Sequence, residues 1–168
     1  NAYFTAGQTG WVVEVDTTTH ELTRAIPTHG KISHMVLVSS DNQRLYTANI
    51  ETENVSVIDR KTGELITQIQ CEKGAEGMAF TPDGKHLWVA NQSGESMSII
   101  DLATHTVVNR FDLPGMPVRI RFTRDGKRAY VPSWTPQGEL IVIDVSNCKE
   151  IARVKVGSFA IGVGQHRA

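Results

Sequence analysis

One pattern of roughly 42 residues runs through this 168-residue chain four times, and it restricts the fold more than any other feature. A strand-like run closing on an acidic residue recurs as Val13-Glu14-Val15-Asp16, Ser56-Val57-Ile58-Asp59, Ser98-Ile99-Ile100-Asp101 and Ile141-Val142-Ile143-Asp144. A second mark keeps phase with it: Tyr3-Phe4-Thr5-Ala6, Tyr46-Thr47-Ala48-Asn49, Trp88-Val89-Ala90-Asn91 and Tyr130-Val131-Pro132-Ser133. A period of this length with four short strands per unit predicts a β-propeller, in which each repeat is one blade that cannot bury its faces alone. The expected class is therefore all-β, built of four-stranded antiparallel blades.

The third repeat shows the grammar of a blade. Gly77-Met78-Ala79-Phe80 is a small, apolar run suited to a strand buried on both faces. Thr81-Pro82-Asp83-Gly84-Lys85 is a turn: Pro presets φ, and Asp-Gly supplies a polar corner and a left-handed position. His86 to Ala90 reads as the second strand, Ser96 to Asp101 as the third, and Val107 to Leu113 as the outermost. Because Asp16, Asp59, Asp101 and Asp144 recur in every repeat, they are expected to cap turns through backbone N–H bonds rather than to form one active site. The first repeat lacks an innermost strand, and Phe159 to Gly164 reads as such a strand. Pairing of that segment with Tyr3 to Ala6 would make a composite blade. The repeats then span residues 1–31 together with 157–168, 32–73, 74–115 and 116–156.

Composition excludes several classes. With 40% hydrophobic and 21% charged residues the chain is neither a disordered tail nor a membrane-spanning one, and no stretch approaches the roughly 18 apolar residues of a spanning helix. A net charge of −1, without runs of like charge, gives no footprint for nucleic acid. Cys71 and Cys148 fall at unlike repeat positions and fit neither a disulfide framework nor a zinc site.

The motifs Tyr46-Thr47-Ala48-Asn49 and Trp88-Val89-Ala90-Asn91, the strands Val57-Ile58-Asp59 and Ile99-Ile100-Asp101, and the turn Phe80-Thr81-Pro82-Asp83-Gly84 resemble the YVTN family of β-propeller repeats. That family includes surface-layer proteins, the d-haem domains of periplasmic nitrite reductases, quinoprotein amine dehydrogenase subunits and lactonase-like enzymes. The resemblance implies a periplasmic or extracellular location and leaves activity open. It also implies rings of about seven or eight blades. Three architectures therefore compete: an excerpt of a longer propeller, a closed four-bladed ring, and a homodimer of two half-rings.

Loops after the second and fourth strands share one rim, where propeller ligands enter. On this reading the candidate ligand-binding residues are His29, His34, Asn49, Glu76, Asn91, Arg119, Ser133 and Trp134. His29 and His34 bracket a short loop but are only two of the three or four ligands a metal wants, so no metal site is expected. Glu76, one repeat after His34, would occupy the neighbouring inner-strand mouth and form a His–Glu pair. Arg119 and Arg121 alternate within an inner strand, and a buried guanidinium there needs an acid of an adjacent blade or an anionic ligand. Trp134 offers a stacking surface. No catalytic residues are assigned, since the chain contains no Gly-x-Ser-x-Gly elbow, phosphate-cradling glycine loop or His-Glu-x-x-His. The expected function is a non-enzymatic module presenting rim loops to a protein partner or small ligand. The alternatives are a cofactor-bearing propeller, haem- or quinone-linked, and a lactonase-like hydrolase.

Overall fold

Short runs of β-branched and aromatic residues, broken every few residues by Asp-, Gly- or Thr-centred turns, fold as fifteen strands in the computed structural model, which describes residues 1–164. The first sheet holds β1 (Ala2–Ala6), β2 (Trp11–Val15) and β3 (Leu22–Pro27), with a 3-10 turn at Gly7–Thr9. The second holds β4 (Ser33–Val38), β5 (Arg44–Asn49), β6 (Asn54–Asp59) and β7 (Leu65–Gln70). The third holds β8 (Ala75–Phe80), β9 (His86–Asn91), β10 (Ser96–Asp101) and β11 (Thr106–Asp112). The fourth holds β12 (Arg121–Phe122), β13 (Arg128–Pro132), β14 (Glu139–Asp144) and β15 (Lys149–Lys155). Within each sheet, consecutive strands pair antiparallel, so every repeat is one blade of a β-propeller.

The repeated aspartates set the turns. Asp59 accepts the N–H groups of Lys61 and Thr62, and Asp101 those of Ala103 and Thr104. Asp16 does the same for Thr18 and Thr19. Each such turn then passes through a left-handed residue: His20, Gly63, His105 or Cys148. Asp41, Asp83 and Asp125 likewise accept a hydroxyl and a backbone N–H across the turn between the first and second strands.

Three core clusters hold the array together, one at each contact between consecutive blades. Val12 and Ile26 meet Leu45 and Ile58; Tyr46, Val55, Val57 and Ile69 meet Met78, Leu87 and Val89; Trp88, Met97 and Ile99 meet Phe122, Val131 and Ile141. Trp88 contacts Phe111 and Phe122 edge to face, with ring centroids 5.5 and 5.2 Å apart. The innermost strands pack tightly beside one another. A Cβ on Gly77 would lie 1.7 Å from the Val118 carbonyl oxygen, so only glycine lets the third and fourth blades approach this closely.

The described residues do not contain the expected composite blade, and residues 165–168 of the segment that would complete it lie outside them. The first sheet has three strands with β1 at its inner edge, and the described part of Phe159 to Gly164 pairs with no strand. Among the described residues no core cluster joins blade 4 to blade 1. The Phe159 N–H instead donates to the Thr135 carbonyl at 2.7 Å.

Candidate functional site

The inner strands of blades 2 and 3 each carry a register shift near their start. Ser33 pairs with Asn49 and Met35 with Ala48, which leaves His34 as the extra residue; Ala75 pairs with Asn91 and Gly77 with Ala90, which leaves Glu76 as the extra residue. A bulge re-aims the side chain of its extra residue. Here the two bulges turn His34 and Glu76 toward each other across the gap between blades 2 and 3, with Nδ1 of His34 3.1 Å from Oε1 of Glu76. In blade 4 the inner strand pairs only through Pro117 with Ser133 and again from Arg121, and the irregular segment between them carries Arg119. Its Nη1 donates to the same Glu76 oxygen at 2.5 Å.

Three blades thus contribute one residue each to a His34–Glu76–Arg119 cluster at the channel mouth. Glu76 is 6% exposed, and its second oxygen, Oε2, is buried without a hydrogen-bond partner among the described residues. Burial pushes the Glu76 carboxyl above its ordinary range, an effect that the Arg119 guanidinium opposes. Burial, followed by the Arg119 charge, lowers the His34 imidazole below 6.5. Nδ1 of His34 thus lies within 3.1 Å of the carboxylate oxygen to which Arg119 donates. Arg119 retains donors beyond the one bound to Glu76, and its side chain is one-third exposed. The cluster can therefore accept a donor and present a cationic fork within one small volume.

The remaining rim candidates lie elsewhere. Asn49 and Asn91 are fully buried and pin their blades. Asn49 donates to Asn54 and Ser56 and accepts from Ser33, whereas Asn91 donates to Ser96 and Ser98. Ser133 stands at the same repeat position, also fully buried, with its hydroxyl 3.1 Å from that of Thr135. All three are buried at the rim ends of their second strands. His29 is exposed in a left-handed conformation; only its carbonyl is engaged, by Gln68. Trp134 is partly exposed and meets the Phe159 ring at a tilt of 58°, with centroids 5.5 Å apart. Arg121 is exposed, and no salt bridge joins it among the described residues.

Sequence reasoning placed His34, Glu76 and Arg119 at one mouth, whereas the bulges that aim them leave no mark in residue type. Two clefts lie on the opposite rim. One of about 610 Å³ runs beside Asp83, Asp125 and Trp88, and one of about 520 Å³ beside Asp41, Asp83 and Tyr46. They occupy equivalent wedges between consecutive blades, so they belong to the repeat geometry rather than to a single site. Cys71 is buried in the cluster between blades 2 and 3, where desolvation pushes its thiol up to about 12. Among the described residues no group of three or more metal-ligating side chains converges, and no helix is long and apolar enough to cross a membrane.

A model of YNCE-like β-propellers matches residues 66–166. The structure superposes on Kuenenia stuttgartiensis hydrazine synthase with a TM-score of 0.82 at 21% identity, over 92% of this chain and 46% of that one. A dihydro-heme d1 dehydrogenase, NirN, in complex with DHE gives a TM-score of 0.70 at 20% identity, over 94% of this chain and 38% of that one. The chain spans less than half the length of either protein. No curated protein sequence matches it significantly.

Proposed function

The chain belongs to the YNCE-like β-propeller family, and on that footing we propose that it is a non-enzymatic binding module whose channel mouth takes a small polar ligand. The carrying observation is Glu76, held between His34 and Arg119 with its second oxygen buried and unpartnered among the described residues. An unsatisfied buried acceptor costs about 1–3 kcal/mol, a cost that a ligand's donor would remove. The chemistry fits a short hydroxy acid or amino acid, its carboxylate on Arg119 and its hydroxyl or ammonium on the Glu76–His34 side. Thermal melts against a panel of short hydroxy acids and amino acids test this. At least one should raise the Tm of the wild type and leave Arg119→Ala unmoved; equal responses in both proteins refute the reading.

A second reading, a cofactor-bearing propeller, is favoured by the carboxylate oxygen 3.1 Å from Nδ1 of His34, since histidines that hold a metal commonly have a carboxylate beside the other ring nitrogen. In that reading His34 would hold a haem-type iron and Arg119 a carboxylate of the macrocycle, while the bound group would supply electron transfer. Haem titration should then give a Soret band that His34→Ala abolishes. The YVTN resemblance supports a periplasmic or extracellular place, which fractionation of the native host would check.

A further inference from the structure

We propose that the channel mouth takes a free α-amino acid in its zwitterionic form and discriminates against the matching hydroxy acid, which rests on the binding reading above and narrows it to one ligand class. Charge decides the class. Glu76 brings one negative charge to the cluster and Arg119 one positive, and the two are already joined through Oε1 and Nη1. Burial holds His34 below 6.5, so its imidazole adds no charge at neutral pH. Among the described residues, Arg119 is the one charge that acts appreciably on either Glu76 or His34. The cluster is therefore balanced before any ligand arrives. A hydroxy acid held through Arg119 would set a second carboxylate beside the buried Glu76 with nothing to offset it. An amino acid adds one charge of each sign. Its carboxylate takes Arg119 donors that Glu76 does not use, and its ammonium reaches Oε2 of Glu76, the buried oxygen without a partner among the described residues. Because the two receiving groups touch each other, the ligand's charges must flank a single carbon. A peptide terminus offers only one of them.

The repeat frame sets this pair apart from the groups that build the blades. Asn49 and Asn91 recur at one repeat position and make the same kind of bond, each to two side chains of the third strand. Glu76 and Arg119 do not recur. In the 42-residue frame His34 and Val118 stand at the position of Glu76, and Met35 and Gly77 at that of Arg119. An ion pair that no other blade carries is a feature of this one seam rather than of the fold. Gly77 also serves it. A Cβ at that position would lie 3.2 Å from the Arg119 Cα, as well as against the Val118 carbonyl, so the missing side chain brings the Arg119 backbone up to the strand that carries Glu76. The acid and the base are held by main chain packed on main chain, which fixes their spacing before a ligand binds.

Titration calorimetry on the whole chain compares ligands that differ only in ammonium for hydroxyl: glycine with glycolate, L-alanine with L-lactate, and L-serine with L-glycerate. At least one amino acid should bind the wild type about tenfold more tightly than its hydroxy partner, the difference between a charged and a neutral donor on a buried acceptor. The amide and the N-acetyl derivative of that amino acid, each lacking one charge, should both lose binding. Glu76→Gln leaves Arg119 unopposed, so the preference should vanish or reverse toward the hydroxy acid. The wild-type comparison needs no variant and decides the matter even where Glu76→Gln fails to fold. A hydroxy acid that binds as tightly as its amino partner, or a preference that survives Glu76→Gln, overturns this inference and leaves the broader binding reading standing. Silence from every pair overturns both.

Discussion

Glu14 occupies the position that Val57, Ile99 and Val142 fill in later repeats, and only its partners make a carboxylate tolerable there. Burial works against its charge, but hydrogen bonds from Asn1, Arg24 and Tyr3 bring its pKa down to about 2. Because the folded value lies below the ordinary 4.5, the stabilisation is complete above pH 4.5 and is lost as pH falls toward 2. Melts recorded between about pH 6 and pH 2.5 should show a steeper loss of Tm in wild type than in Glu14→Gln. His34 differs in sign, since burial lowers its pKa. An NMR titration should place its midpoint below the ordinary imidazole value, and a midpoint above 6.5 would contradict the desolvation and the nearby Arg119 charge that lower it. At this scale the residue types were legible and their partners were not. His34, Glu76 and Arg119 could be picked out because polar residues stood at inner-strand positions. Asn49 and Asn91, polar at the strand ends facing the rim, read as ligand groups and proved to be buried pins.

Elements follow from turn chemistry and from where glycine is required. Asn91 ties β9 to β10 through Ser96 and Ser98, so Asn91→Ala leaves two buried hydroxyls short of a partner and should cost about 1–3 kcal/mol in denaturant unfolding. Gly77→Ala should cost about as much or more, because the new methyl meets backbone that cannot rotate away; overpacked sites lose roughly 1–3 kcal/mol. An alanine tolerated at position 77 without loss would mean that the inner strands of blades 3 and 4 lie farther apart than described. Strand order and the Asp-capped turns were readable from the sequence, since both rest on residue type and spacing. The bulges were not, because an extra residue in one strand shows only once its partner strand fixes the register.

Stability in the whole array is a sum of blades and the contacts between neighbours. The contact between blades 1 and 2 rests on four fully buried apolar side chains and a charged network around Glu14, whereas those between later blades bury larger clusters that include Trp88 and Tyr46. Hydrogen exchange should therefore protect β9 and β10 most and release the amides of β1 to β3 first. Equal protection across all four sheets would show the array to be one cooperative unit. What the sequence alone determined was the repeat, the blade and the family resemblance, because periodicity and turn residues are local and recur every 42 or 43 residues. Only the tertiary structure decided that one carboxylate gathers a histidine and an arginine from the blades on either side. Curvature and side-chain aim emerge from how sheets pack on one another, and no single repeat encodes that.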